Sequence, residues 1–452
     1  MDIVPIVDEG LGNSAYVVGL GEGLAAVVDP SRDPSRYQRA AEPRGWRLAF
    51  SVETHLHADF VSGSRELAAL GAQVIAPADA GLAFPARGLH DGDEIDLGGL
   101  TLRALATPGH TPEHLAYLLA DGARPLGVFT GGTLITGGVA RPDLLGPEQT
   151  EPLARAAYRS LHERLLTLPD DLPVWPTHGA GSFCSAGGDG GRTSTIGNER
   201  RANPLLRAPD EDTFVAHLLT GLGSHPPYFL ELRTVNRGGP RVYGGQPPVP
   251  TRVDVPAFRR ALDGGAELID VRPIADFAAG HLPGSLSIAL RDQFATWLGW
   301  LVDRARPFVV VASRDTDRAL LVRECLKIGY ERLLGELDGG VAAWGAAGLP
   351  LQQIPLVEPG DALTDRPVLD VRQRAEWSGG HLPDAVHVEL GMLARDTAAA
   401  PNAPVTVHCG HGARAMTGAS LLARAGREDL SVLHGSPAEL ATARGQELEP
   451  EA

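Results

Sequence analysis

Residues 267–285 read ELIDVRPIADFAAGHLPGS and residues 367–385 read PVLDVRQRAEWSGGHLPDA, an internal repeat in which Asp270, Arg272 and His281 recur as Asp370, Arg372 and His381. The next apolar run is FVVVAS (308–313) in one copy and PVTVHC (404–409) in the other, after which Arg318 pairs with Arg414. In each copy a short β-branched run leads through a turn into an Ala- and Leu-rich stretch of helical spacing, such as RALLVRECLKIGY (318–330). Alternation of this kind predicts parallel strands joined by crossover helices. Two copies of one α/β domain are therefore expected at 251–355 and 356–452.

Upstream, RGGPRVYGGQPPVP (237–250) is dense in Gly and Pro and reads as a linker. Residues 1–237 then form a larger domain that opens with strand-like runs such as YVVGL and LAAVVDP. A chain of 452 residues fits three such units at roughly 150 residues each. The formal charge of −16 argues against a nucleic-acid partner, which would require a clustered basic excess. No apolar run approaches the roughly 20 residues of a membrane span, and MDIVPIVDEG does not read as a signal peptide. A cytoplasmic protein is the expectation, with its three cysteines, Cys184, Cys325 and Cys409, as free thiols. Whether it forms a homo-oligomer is left open.

In the first domain, THLHADF (54–60) places His55, His57 and Asp59 at alternate positions just after the apolar stretch RLAFSVE. Imidazoles and a carboxylate so spaced, in a loop at a strand end, can converge on one metal ion. His110 in ATPGHTPEH and His178 in VWPTHGAG also follow strand-like runs. Cys184, with Ser182 and Thr195, lies in the Gly-rich stretch beyond His178, where a thiol near a metal is placed to exchange sulfur. Arg192, Arg200 and Arg201 are candidates for holding the carboxylates of a low-molecular-weight thiol through forked hydrogen bonds.

These segments resemble the metallo-β-lactamase fold. THLHADFVSGSRELA, TPGHTPEHLAY and FTGGTLITGGVARPDL are similar to its persulfide dioxygenase branch, in the form fused to rhodanese domains. The resemblance implies an αββα sandwich followed by two rhodanese-like α/β domains with central parallel sheets. It also implies Fe(II) held by His55, His110 and the aspartate of a T-G-D triplet. Here that triplet is T-G-G, so the carboxylate position is Gly132; the nearby aspartate usual before V-G-R-P-D is Gly138, and Phe60 stands at the sixth position of the metal motif. His55, His57 and His110 retain a three-imidazole face that suits zinc. Three outcomes follow: an iron site completed by another ligand, a zinc site, or a domain with weak metal or none.

Both repeats resemble rhodanese domains, whose reactive loop is C-x-x-G-x-R at the end of a central strand. The second copy carries it in full as Cys409-Gly410-His411-Gly412-Ala413-Arg414. Backbone N–H groups of such a loop, leading into a helix N-terminus, favour a thiolate and cradle an anion. Cys409 is thus the expected nucleophile and Arg414 its partner. The first copy reads Ser313-Arg314-Asp315-Thr316-Asp317-Arg318 at that place and is expected to be silent. Cys325 sits in a helical apolar pattern and reads as core. The second copy also lacks a G-G-V-x-x-W segment near its end, where it reads VLHGSPAELATARG (432–445).

The implied chemistry concerns thiol persulfides, thiosulfate and sulfite. Three functions are consistent with it. One joins persulfide dioxygenation to sulfur transfer at Cys409, the second keeps only the sulfurtransferase with a degenerate N-terminal binding module, and the third is a zinc thioesterase of glyoxalase II type.

Overall fold

The computed structural model describes residues 2–187, 191–362, 366–402 and 404–451. The chain divides into two compact units. One is Met1–Pro248 with Arg323–Gly329; the other is Val249–Val322 with Tyr330–Ala452.

The first unit is an αββα sandwich. Its first sheet runs, in spatial order, Ile3–Asp8, Asn13–Gly21, Leu24–Val28, Arg47–Val52, Gln73–Pro77 and Arg87–Leu89. The second orders Ser194–Thr195, Pro173–Pro176, Arg124–Gly131, Leu115–Asp121, Thr101–Ala106 and Glu94–Asp96. Strand Asn13–Gly21 shows why the sandwich has four layers. Successive side chains leave opposite faces of a strand, so Tyr16, Val18 and Leu20 enter the core between the sheets. Ala15 and Val17 face the other way, onto Tyr37 and Leu67, which belong to helices Pro34–Ala41 and Ser64–Ala69. The second sheet is covered likewise. Val128 and Val174 pack with Ala154, Ala157, Ile196 and Phe214, which come from helices Pro147–Arg159, Ile196–Ala202 and Glu211–Thr220.

The second unit holds two parallel five-stranded sheets of the same order. The first is Arg252–Val253, Leu333–Leu337, Phe308–Val311, Glu267–Asp270 and Leu286–Ser287; the second is Leu356–Val357, Leu430–Leu433, Val405–His408, Val368–Asp370 and Val386–His387. The repeated D-V-R…G-H-L-P residues build both copies in the same way. Arg272 Nε and Nη2 donate to Asp270 Oδ1 and Oδ2 at 2.9 and 2.6 Å, and Nη2 also donates to the Gly280 carbonyl at 2.8 Å. Arg372 repeats the clamp on Asp370 and on the Gly380 carbonyl, at 2.7 and 2.9 Å from its Nη2. His281 lies flat on Phe277 with ring centroids 3.8 Å apart, and His381 on Trp377 at 3.7 Å. The most repeated residues of the chain are therefore braces.

Because Asp270 is fully buried, removing its arginine strands a charge. Arg272→Ala is expected to cost the unit about 3–5 kcal/mol, read as a lowered denaturant midpoint; an unchanged midpoint would show that the clamp is dispensable.

At its end the second copy keeps a helix, Pro437–Arg444, where the first has helix Gly340–Ala346 with its G-G-V-x-x-W residues; without that segment it is opened by a capping box in which Ser436 and Glu439 satisfy each other's backbone N–H groups.

Candidate functional site

In the first unit the strand Arg47–Val52 ends three residues before His55, which lies in the loop that follows, as the sequence implies. The loop it feeds is pinned from helix Phe229–Gly238. Asn236 Nδ2 donates to the carbonyls of His57 and Phe60 at 2.8 and 2.9 Å, and its Oδ1 accepts from Ser62 N at 2.9 Å. Arg233 forks onto Glu113 at 3.0 and 3.2 Å, and Glu113 in turn accepts from Leu56 N.

Ring nitrogens of His55, His110 and His178 lie within 4.8 Å of one another, all fully buried. Hydrogen bonds fix their tautomers. His110 Nδ1 is 2.7 Å from the Arg141 carbonyl, which can only accept, so Nδ1 carries the proton and the buried, partnerless Nε2 is a bare lone pair. The Thr54 hydroxyl donates to Asp29 Oδ2 at 2.7 Å and therefore accepts from His55 Nδ1 at 2.8 Å, which leaves His55 Nε2 bare. His178 Nδ1 faces Asn13 Oδ1 at 3.1 Å and Asp59 Oδ2 at 3.3 Å, so its Nε2 is bare as well, 3.3 Å from that of His55. Three lone pairs converging in a buried space repel one another unless a cation sits among them. Anchored Nδ1 protons behind inward Nε2 atoms are the arrangement metal-binding histidines adopt. These residues fit a metal ion.

Two members of the set expected from sequence, His55 and His110, are in this triplet; the third, His57, belongs to two further groups whose ligand atoms also lie within 4.8 Å of one another, with Asp29 and His55 and with Asp59 and His178. His57 Nε2 lies 3.2 Å from both Asp29 Oδ1 and Glu53 Oε2. Burial opposes its charge, but Asp29 and Glu53 overcome that and push its pKa up to about 10. For His55 and His110, burial and then the neighbouring imidazoles work in the same direction, driving His55 well below the usual range and His110 down to about 3. Phe60 stacks on His57 with centroids 4.2 Å apart, putting carbon at the sixth motif position.

At Gly132 a side chain has no room. A Cβ there would lie 2.7 Å from His110 Cδ2 and 3.0 Å from Ala140 Cβ. Sequence reasoning missed Asp29, which takes bonds from Thr54 N and Oγ1 at 2.7 Å each and from Thr177 Oγ1. Its one signal is a left-handed backbone, φ 47°, at the end of strand Leu24–Val28, and that is visible only in the structure.

Of the remaining candidates here, Cys184 is buried beside Asp59, and burial together with that charge raises its pKa well above the usual thiol value. Arg192 Nη2 pairs with Glu9 at 2.6 Å, while its Nη1 comes within 3.2 Å of where a Cβ on Gly179 would sit, next to His178. Arg200 is committed to Asp170 and the Leu166 carbonyl on the surface. Arg201 bonds Asn198, and Thr195 caps helix Ile196–Ala202; both are local supports.

In the second unit Cys409 follows the central strand Val405–His408 and precedes helix Ala413–Arg424. Its sulfur accepts a hydrogen bond from Gly412 N at 3.2 Å. Gly412 has φ +89°, and a Cβ on it would meet Ile274 Cδ1 at 3.1 Å and the Leu433 carbonyl at 3.3 Å, so only glycine turns this N–H inward. Arg414 Nη2 lies 3.6 Å from the Cβ position of Gly410, and the guanidinium forks onto Glu376 at 2.5 and 2.7 Å. His411 is exposed at the loop tip, and Ala413 opens the helix.

The first copy shows what is lost with the nucleophile. Thr316, the counterpart of Gly412, aims its N–H at the Ser313 carbonyl at 3.2 Å instead of at a side chain. Asp276, one carbon shorter than Glu376, contacts Ser313 at 3.4 Å, and Arg318 turns to Glu336 at 3.0 Å. Around this loop a cavity of about 530 Å³ persists, lined by Arg252, Arg272, Arg314 and Arg318. Cys325 is buried, and burial with the Glu324 charge raises its pKa, consistent with a core residue.

The sandwich with its histidine cluster and the paired parallel sheets define a metallo-β-lactamase-fold protein carrying two rhodanese-like domains. The rhodanese-like domain family matches residues 254–347 and 357–442. The mitochondrial persulfide dioxygenase of Homo sapiens is 32% identical over 201 residues, 44% of this chain and 72% of that protein. A hydroxyacylglutathione hydrolase of Pseudomonas entomophila (strain L48) is 35% identical over 204 residues, 41% of this chain and 78% of that protein. A solved metallo-β-lactamase from Staphylococcus aureus subsp. aureus COL superposes with a TM-score of 0.65 at 29% identity, over 75% of this chain and 98% of that one. The chain belongs to the persulfide dioxygenase family of this fold, in the form fused to rhodanese-like domains. Fold and relatives together imply a metal centre. No helix among the described residues is long and apolar enough to cross a membrane.

Proposed function

We propose that this chain is a sulfur-metabolism enzyme whose chemistry is sulfur transfer at Cys409. The observation that carries the reading is the Gly412 N–H aimed at the Cys409 sulfur at 3.2 Å, at the start of a helix. A backbone N–H aimed at sulfur at the start of a helix stabilises negative charge that develops there. The thiolate attacks the outer sulfur of thiosulfate; a Cys409 S–S bond forms, the S–S bond of thiosulfate breaks, and sulfite leaves with the electron pair. A second thiolate then takes the outer sulfur and Cys409 leaves as thiolate. Persulfides of low-molecular-weight thiols enter the same cycle as donors or products. Mass analysis of the protein after thiosulfate treatment tests this: one added sulfur atom on the Cys409 peptide supports it, and none speaks against it.

For the metal domain, the space at Gly132 favours a binding module over a dioxygenase. His55, His110 and His178 would hold the ion, iron or zinc, and a metal there supplies a Lewis acid for a bound sulfur anion. Arg192, beside His178, is placed to meet an anionic thiol carrier. His178→Ala is expected to fold and to lose most bound metal, since one of three ligands is gone. His57→Ala should instead lose solubility, because Asp29 and Glu53 are left buried without a counter-charge. If His57→Ala is soluble and metal-free while His178→Ala keeps its metal, the assignment is reversed.

A further inference from the structure

The Cys409 loop is not built by its own copy alone. Helix Ala413–Arg424, which the loop starts, is tracked along its length by a segment of the first copy. At the far end Arg424 Nε donates to the Gly284 carbonyl at 2.8 Å. One turn nearer the loop, Ser287 N donates to Ser420 Oγ at 3.1 Å; a further turn on, Thr417 Oγ1 donates to the Ser287 carbonyl at 2.6 Å. The segment therefore runs antiparallel to the helix and climbs toward its N-terminus. Leu290 N then bonds the Val271 carbonyl at 2.9 Å. Three residues beyond Val271, Ile274 closes against Gly412 of the reactive loop. The next residue after Leu290 is Arg291.

Its guanidinium stands close enough to Cys409 and Arg414 for both to act on it: burial lowers its pKa, the Cys409 sulfur works against that, and Arg414 adds to it. The two arginines are not equivalent. Arg414 is neutralised by its forked pair with Glu376. Arg291 is packed against protein on one side yet stays open to solvent on the other; its hydrogen-bond partner is the uncharged Gln293 side chain, with Asp292 the carboxylate that acts on it. A chain with a formal charge of −16 that must attract anionic sulfur compounds needs a local cation with free donors. At this site Arg291 supplies it.

We propose that Arg291, given by the copy that has lost its nucleophile, is the anion-binding residue of the Cys409 site. It takes the sulfonate end of thiosulfate and holds the departing sulfite, so that the site is complete only when both copies are present. The proposal rests on the sulfur-transfer reading of Cys409. It also gives the silent copy a part in the chemistry, which its Ser313 loop denies it.

The test uses the full chain and two alkylating reagents of similar size, anionic iodoacetate and neutral iodoacetamide, with labelling followed at the Cys409 peptide. Arg291→Gln is expected to lower the iodoacetate-to-iodoacetamide rate ratio about tenfold, the scale of one charge contact near a surface, and Arg291→Lys to restore part of it. In sulfur transfer, Arg291→Gln should raise KM for thiosulfate about tenfold with a smaller change in kcat. An unchanged ratio and KM would overturn the proposal, as would a Cys409 that neither reagent reaches. If the charge preference depends on Arg291 but the wild-type protein transfers no sulfur, the anion site stands and the transferase reading falls.

Discussion

Cys409→Ser is expected to abolish thiosulfate-dependent sulfur transfer, a loss of at least roughly 1000-fold, while Cys325→Ser and Cys184→Ser leave it largely intact. The three thiols are all buried, so burial does not single out the nucleophile. What separates them is the field each feels. Cys184 and Cys325 lie where burial and a neighbouring carboxylate, Asp59 or Glu324, hold the proton on sulfur. A thiol whose pKa is raised stays neutral at neutral pH and is a poor nucleophile. Cys409 instead has a backbone N–H directed at it and Arg414 beside its loop. Initial rates of cyanide-dependent thiocyanate formation from the three variants decide the matter. Comparable losses in all three would mean that no one of these thiols is the acceptor.

The second large effect concerns oxygen. With glutathione persulfide, the wild-type protein is expected to consume oxygen no faster than a metal-free control, although metal analysis should find an ion bound. Restoring the family's carboxylate by Gly132→Asp is not expected to repair this. The new Cβ would press on the His110 ring at 2.7 Å and on Ala140 at 3.0 Å. His110 cannot step aside freely, because Nδ1 is tied to the Arg141 carbonyl. Overpacking of this kind costs about 1–3 kcal/mol, and displacing a ligand should lower metal content instead of raising it. Rapid oxygen uptake by the wild type, or its appearance in Gly132→Asp, would return the metal domain to dioxygenase chemistry.

Much of this protein is legible in its sequence, for reasons that differ between its halves. The rhodanese-like loop is contiguous, so nucleophile, glycines and arginine are read in one line from Cys409 to Arg414. The repeat is equally plain, yet its most regular residues, Asp270, Arg272 and His281 with their partners at 370, 372 and 381, are clamps and stacks. Recurrence there reports fold, not chemistry. In the metal domain the motif histidines were visible, but the choice among them was not. His57 and His178 each belong to more than one group of side chains able to hold an ion, and Asp29, one of the two carboxylates against His57, carries no motif of its own. Asn236 and Arg233, which pin the loop, lie more than a hundred residues further along the chain. Arg291 could not be singled out for the same reason, since its segment meets the helix that follows Cys409 only through the packing of one copy on the other.

Whether sulfur is carried on Cys409 is read from peptide mass analysis of the full chain after brief exposure to thiosulfate and removal of excess. One added sulfur atom is expected on the Cys409 peptide, discharged by cyanide, with the Cys184 and Cys325 peptides unmodified. An unmodified Cys409 peptide, or sulfur found on Cys184 instead, would contradict it.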